Sequence, residues 1–178
     1  MSVSLNLGLL ILRLIAGLTI GAHGAQKLFG WFEGPGMTKW THVLRSQGFK
    51  PAIIWSSLTV LGELGGGLAV AFGFLTPLGA AGMFSVMFMA IVKSHWKNGF
   101  FNSKRGLEFP LSLLGAAVAI GLAGPGSYAL DTLFGINFPT PLLFLILAVV
   151  GVLVDIFGLL LTRSASAPSD APKSQTSS

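Results

Sequence analysis

The chain contains no cysteine. Disulfide relay chemistry, iron–sulfur clusters and thiolate metal sites are thereby excluded on it. It also carries no Rossmann glycine pattern and no Cys-x-x-Cys-His, so no haem, flavin or dinucleotide motif is present. A redox role would need a quinone, a bound cofactor or a partner subunit. Charge is scarce as well: charged residues are 10% of the 178 positions, against roughly 25% in ordinary soluble domains. A soluble fold with so few charges has too little polar surface to stay in solution. Mean hydropathy is +0.77, and the bilayer is the solvent that suits it.

What is present is apolar sequence in long runs. By length the chain is one domain, and five stretches read as spans, at about 5–25, 52–74, 76–92, 108–123 and 140–161. The fold class expected is an all-α, polytopic membrane helix bundle over residues 1–162. The first span is a poor signal peptide, because it lacks a basic n-region and Arg13 interrupts its apolar centre. The tail 163–178 is rich in Ser, Ala and Pro and reads as disordered. No internal repeat is visible.

Lysine and arginine placement supports five spans. The segments 26–51, 93–107 and the tail hold Lys27, Lys39, Arg45, Lys50, Lys93, Lys97, Lys104, Arg105, Arg163 and Lys173. The other side holds none, since Arg13 lies within a span. By the positive-inside rule the N-terminus faces out and the C-terminus faces in. The formal charge of +5 therefore belongs to membrane-flanking segments facing anionic lipid, and nucleic acid is not the partner.

Three ionisable residues fall inside spans: Arg13, Glu63 and Asp155. Each costs at least about 2.5 kcal/mol if it faces lipid at mid-bilayer. Arg13 shares a helical stripe with Gly17 and Gly21, Glu63 with Gly66 and Gly67, and Asp155 lies between Gly151 and Gly158. Glycine on those faces admits a neighbouring helix, so all three are expected to point into the bundle. Depths counted along the helices predict an Arg13–Glu63 salt bridge. That pair either holds two helices in register or lines a polar cavity. Asp155 is either protonated or paired with His23.

The segment 23-HGAQKLFGWFEGPG-36 joins the first two spans. The first helix is expected to end near Gly24, with no long helix after it because of Gly30, Gly34, Pro35 and Gly36. Lys27 can snorkel to the head groups, and Phe29, Trp31 and Phe32 form an interfacial belt. The segment 93-KSHWKNGFFNSKRGLEFP-110 repeats this chemistry at the same face. His23, Gln26, Lys27 and Phe29 on one side, with His95, Asn98, Phe100 and Glu108 on the other, suggest a shared pocket. His23, Lys27, His95 and Glu108 are the catalytic candidates, as donors and proton carriers for a carbonyl. Arg13, Glu63, Gln26, Phe29, Asn98 and Phe100 are the substrate-binding candidates. Gly99 and Gly106 would let backbone approach a ligand. His23 and His95 with Glu108 could complete a metal site, but His42 lies in a loop and the spacings are not metal-like.

Several of these motifs carry a family resemblance. Arg13-x-x-x-Gly17 followed by His23-Gly24-x-x-Lys27-Leu28-Phe29-Gly30 resembles the opening motif of the DoxX family. The stretch 62-GELGGG-67 is similar to its second-helix motif. His95-x-x-Asn98-Gly99-Phe100-Phe101 with Glu108, and 124-GPGSYALD-131, resemble the third and fourth. The resemblance implies a small bacterial inner-membrane protein built on a four-helix bundle. Members are often described as oxidoreductases or as membrane subunits of quinone-linked ones. Some are associated with sulfur or catechol metabolism, or with oxidative and thiol stress responses. The fifth helix, with Asp155, looks like an addition to that pattern.

Three functions follow as expectations. The first is an oxidoreductase component that binds a quinone or small aromatic substrate, beside a soluble or membrane redox-enzyme subunit. The second is a non-catalytic scaffold docking partner helices, or a second copy, on its glycine faces. The third is a small-solute transporter using Arg13, Glu63 and Asp155, for which no inverted repeat is seen.

Overall fold

The computed structural model describes residues 2–164. Of the expected tail, 163–178, the first two residues belong to the last helix and those from 165 onward lie outside the described residues. The chain forms long helices named here in order: α1 (Val3–Phe29), α2 (Gly36–Ser46), α3 (Ala52–Phe72), α4 (Thr76–Asn98), α5 (Glu108–Ala123), the single turn α6 (Leu130–Leu133) and α7 (Thr140–Ser164). Four of them, α1, α3, α4 and α7, are long and apolar enough to cross a membrane. The all-helical membrane bundle expected from composition is the observed architecture. At 16 residues α5 is apolar but shorter.

Helix ends follow from local chemistry. Ser2 caps α1, its hydroxyl accepting from the Leu5 amide, which satisfies one of the amides a helix start leaves open. α1 does not end near Gly24, as the sequence suggests, but runs to Phe29 and stops at Gly30 in the left-handed region. A glycine inside an apolar helix is tolerated where a neighbouring backbone packs on it, and Gly24 meets Leu64. α3 stops at Gly73 (φ 63°), and α4 starts at Thr76 with Pro77 in its first turn.

The segment 26–51 also differs from expectation, because it contains α2. Pro35 and Gly36 do not block this helix; they open it. His42 therefore sits on a helix. Met37, Trp40 and Leu44 recur at helical spacing and face the bundle, while Thr38, Lys39 and Arg45 are exposed.

Glycine sets the helix register. Gly17 lies against Ala71 and the Gly67 carbonyl, Gly21 against Gly67, and Gly24 against Leu64, so α1 and α3 run antiparallel in close contact. The opposite stripe of α3, Gly62 and Gly66, meets Val86, Gly82 and Gly79 of α4. Gly151 of α7 packs on Ser85, and Gly158 packs on the Trp55 ring. Between these seams lies one apolar core built around Ile20, Val70, Met83, Ile120 and Phe144. A second cluster, Leu44, Phe49, Ala52 and Trp55, joins α2 to the start of α3.

Candidate functional site

All three ionisable residues of the spans are buried: Arg13 is 1% exposed, Glu63 4% and Asp155 7%. Their partners differ from those expected. On the glycine register, the position of α3 facing Arg13 lies beyond its end at Gly73, whereas Glu63 stands level with Ala25. About twelve residues of helix, roughly 18 Å, separate the two. The expected Arg13–Glu63 bridge is therefore absent. Glu63 instead takes Lys27, which α1 supplies because it continues past Gly24.

The Lys27–Glu63 pair lies on a groove of about 920 Å³ bounded by α2, α3, α4 and α7. Glu63 occupies a π-helical turn, Leu61–Gly65, inserted in α3. Such one-turn insertions re-aim a side chain. The Lys27 ammonium also sits over the Trp40 ring, 4.3 Å from its centroid. Glu63 gives Oε1 to Lys27; its Oε2 is buried and has no hydrogen-bond partner among the described residues. The same holds for the Trp40 indole Nε1. Asp155 lies on the groove too and accepts from the Ser85 hydroxyl at 2.9 Å, so its partner is Ser85 rather than His23. Lys93, in a second π turn at Ile91–His95, lines the groove, reaches Thr162 Oγ1 at 3.3 Å and lies over the Phe49 ring.

Ser85 fixes the relative depth of the two carboxylates. Gly62 meets Val86 and Gly66 meets Gly79 across the α3–α4 seam, which places Ser85 level with Glu63. Asp155 bonds the same Ser85 from α7. Lys27, Glu63, Ser85 and Asp155 thus form one polar layer contributed by four helices.

Among the described residues, Lys27 and Glu63 are the members of the expected site set that line this groove. His23 is half-buried and packs its ring on Phe109, centroids 5.4 Å apart. Gln26 donates to the Phe32 carbonyl and braces the turn after α1. Phe29 is exposed and packs on Trp31. His95 Nδ1 lies 2.7 Å from the Arg105 carbonyl, to which Asn98 also donates. Glu108 accepts from the Asn102 amide, and Phe100 is exposed beside Phe101. These polar groups tie the 99–107 loop to the helix ends that flank it. Gly106 packs on the backbone of Gly99 and Phe100, leaving no room there for a ligand, whereas the space beside Gly99 is open. No group of three His, Asp or Glu able to hold a metal comes together among the described residues.

Arg13 belongs to a separate node at the opposite end of the bundle. Its Nη2 donates to the Tyr128 carbonyl at 2.8 Å, and its guanidinium lies against Gly73, where any Cβ would collide with it. The facing charge is Asp131. Asp131 in turn accepts from the Leu75 and Thr76 amides and the Thr76 hydroxyl, at 2.7–2.8 Å. Its own amide donates to the Gly73 carbonyl. One carboxylate thus caps α4 and offsets the buried cation of α1. Asp131 was missed as a partner because it lies in a connection rather than a span.

The model of the DoxX family matches residues 8–96, half of the chain. The chain belongs to the DoxX family. The inner membrane protein YqjF of Escherichia coli (strain K12) is 27% identical over 130 residues, covering 72% of this chain and 92% of that protein. No solved structure matches. With its apolar helices, the chain is a multi-pass inner-membrane protein of the DoxX family.

The DoxX match covers α1 to most of α4, including Lys27, Trp40, Glu63 and Ser85. Asp131 and Asp155, which complete the two buried polar sites, lie beyond it. Trp40 and Ser85 escaped the sequence reading. A tryptophan thirteen residues after Lys27 shows its relation to it only once α2 folds back. A serine amid apolar residues has no distinguishing pattern.

Proposed function

We propose that the groove bounded by α2, α3, α4 and α7 binds a quinone or a related small aromatic molecule, and that the chain serves as an oxidoreductase component beside a soluble or membrane redox partner. The observation that carries this reading is the buried, half-satisfied Glu63 carboxylate beside the Lys27 ammonium at the wall of a groove large enough for such a molecule. Trp40, Phe49, Trp55 and Phe72 give the walls an aromatic surface. Apolar walls with a few convergent polar groups are the usual form of a small-molecule site. A buried charge that retains an unfilled lone pair is expensive unless a ligand or water completes it. The partner is needed because a chain without cysteine or cofactor motif has no electron carrier of its own.

We read the lysine-bearing part of the groove, around Lys27, Trp40 and Lys93, as nearer the cytoplasmic face, with the N-terminus outside, from the lysine and arginine distribution. We also read α5 as a fifth crossing. Supporting this, His23 of α1 contacts Phe109 at its start, and Asn6 of α1 accepts from the Ser127 amide just after its end. α5 therefore runs alongside roughly 25 Å of α1.

Purification in mild detergent from native membranes tests the proposal. Mass spectrometry of the solvent extract should find quinone at a substantial molar fraction of protein, reduced several-fold in Trp40→Ala. A quinone-free extract with no redox protein co-purifying would favour the scaffold reading instead.

A further inference from the structure

The unfilled groups in the groove specify more than a ring. Glu63 Oε2 offers a buried lone pair, and Asp155 accepts from the Ser85 hydroxyl, although a carboxylate has about four acceptor sites. Trp40 Nε1 is a buried donor without an acceptor among the described residues. The Trp40 ring and the Glu63 carboxylate both border the Lys27 ammonium, so the unfilled donor and the unfilled acceptor belong to two residues around one cation. A hydroxyl can donate to one and accept from the other. A bare carbonyl can only accept, which leaves Glu63 Oε2 unfilled.

Charge narrows the choice among donors. The groove is lined by two lysines, Lys27 and Lys93, and two carboxylates, Glu63 and Asp155. Formal charges already balance, so an incoming ammonium would add an uncompensated buried cation. A neutral hydroxyl adds none.

We infer that the groove is built for a neutral, ring-bearing hydroxyl compound, a phenol or the reduced (quinol) form of a quinone, which donates its O–H groups to Glu63 and Asp155. The inference rests on the reading of the groove as a ligand site and specifies the form it holds. It also gives α7 a role: Asp155, outside the segment matched to the family, supplies the second acceptor at the depth of Glu63.

Trp40 and Trp55 line the groove, whereas Trp31 and Trp96 are exposed elsewhere. In a Trp31→Phe/Trp96→Phe background, fluorescence therefore reports groove occupancy. The detergent-solubilised protein is titrated with a short-chain quinol under reductant, with the corresponding quinone, and with the quinol dimethyl ether. The ether matches the ring and lacks the donors. The quinol is expected to bind at least about tenfold more tightly than either, the low end for a hydrogen bond to a charged acceptor. Asp155→Leu should remove most of that preference. Ser85→Ala should keep or increase it, because it frees an acceptor site on Asp155; a purely structural role would weaken binding in both variants. Quinone or ether binding as tightly as quinol overturns the inference and leaves the groove as a ligand site. Failure of all three to change the fluorescence removes both readings.

Discussion

The Lys27 ammonium closes on the Glu63 carboxylate across the seam between α1 and α3, one turn from the point where Gly24 admits the Leu64 backbone. The two partners are unequal. The Glu63 side chain is 5% exposed and short, while Lys27 is 19% exposed on a long, flexible stem near the end of its helix.

That asymmetry makes the single substitutions differ. Lys27→Ala strands a buried carboxylate and is expected to cost about 3–5 kcal/mol. Glu63→Ala leaves a lysine that can swing to the head groups, so its cost is smaller. The double variant should recover part of the loss in Lys27→Ala. Thermal midpoints in detergent, read by size-exclusion chromatography after heating, give the order. Equal midpoints for wild type and Lys27→Ala would show that the pair contributes nothing.

Particular residues show how far the sequence could be read. Four of the five expected spans and the inward orientation of Arg13, Glu63 and Asp155 were legible, because lipid penalises exposed charge and glycine marks the faces that pack. The pairing was not. Depth was counted from expected helix ends, and α1 overshoots Gly24 by five residues, ending at Phe29. Helical depth is relative, so the register had to come from Gly17, Gly21 and Gly24 meeting α3. α2 was obscured by its glycine-rich entry, although the spacing of Met37, Trp40 and Leu44 carried its signal. The roles of His95, Asn98 and Glu108 within their own loop could not be inferred, since a polar side chain gives no sign of whether backbone or ligand will satisfy it.

The glycine seams give a second prediction. A methyl group at Gly67 would meet the Gly17 carbonyl and the Gly21 amide, and one at Gly17 would meet the Ala71 backbone. Neither contact can relax without moving a helix, so Gly67→Ala and Gly17→Ala should each cost about 1–3 kcal/mol, as overpacking does. Gly8 and Gly115 have nothing within 4 Å. Alanine there should be neutral or slightly stabilising. Membrane accumulation of the four variants separates the two classes, and a uniform response would contradict the register.

Asp131 yields a third. Asp131→Ala leaves the Leu75 amide, the Thr76 amide and the Thr76 hydroxyl without their acceptor and Arg13 without its facing charge. At about 1–3 kcal/mol per unsatisfied group, the loss should exceed that of any single groove variant. Arg13→Met in the Asp131→Ala background should restore some stability by removing the stranded cation. Limited proteolysis at the Gly73–Thr76 connection reads the local effect. An Asp131→Ala protein as resistant as wild type would mean that this node does not hold α1, α3 and α4 together.

A chain without cysteine allows its topology to be mapped by adding one thiol at a time. Lys39, Ser103 and Ser127 are exposed, and none of their side chains carries a contact described above. Intact cells treated with a membrane-impermeant maleimide should label Ser127→Cys alone. Lys39→Cys and Ser103→Cys should label once the membrane is opened. Ser103 and Ser127 flank α5, so their opposite behaviour is what a fifth crossing requires. A 16-residue helix reaches about 24 Å, short of a hydrocarbon core of about 30 Å, so local thinning or polar flanks must make up the remainder. If Ser103→Cys and Ser127→Cys label from the same side, α5 is re-entrant, and the inside-facing C-terminus inferred from the basic residues fails with it.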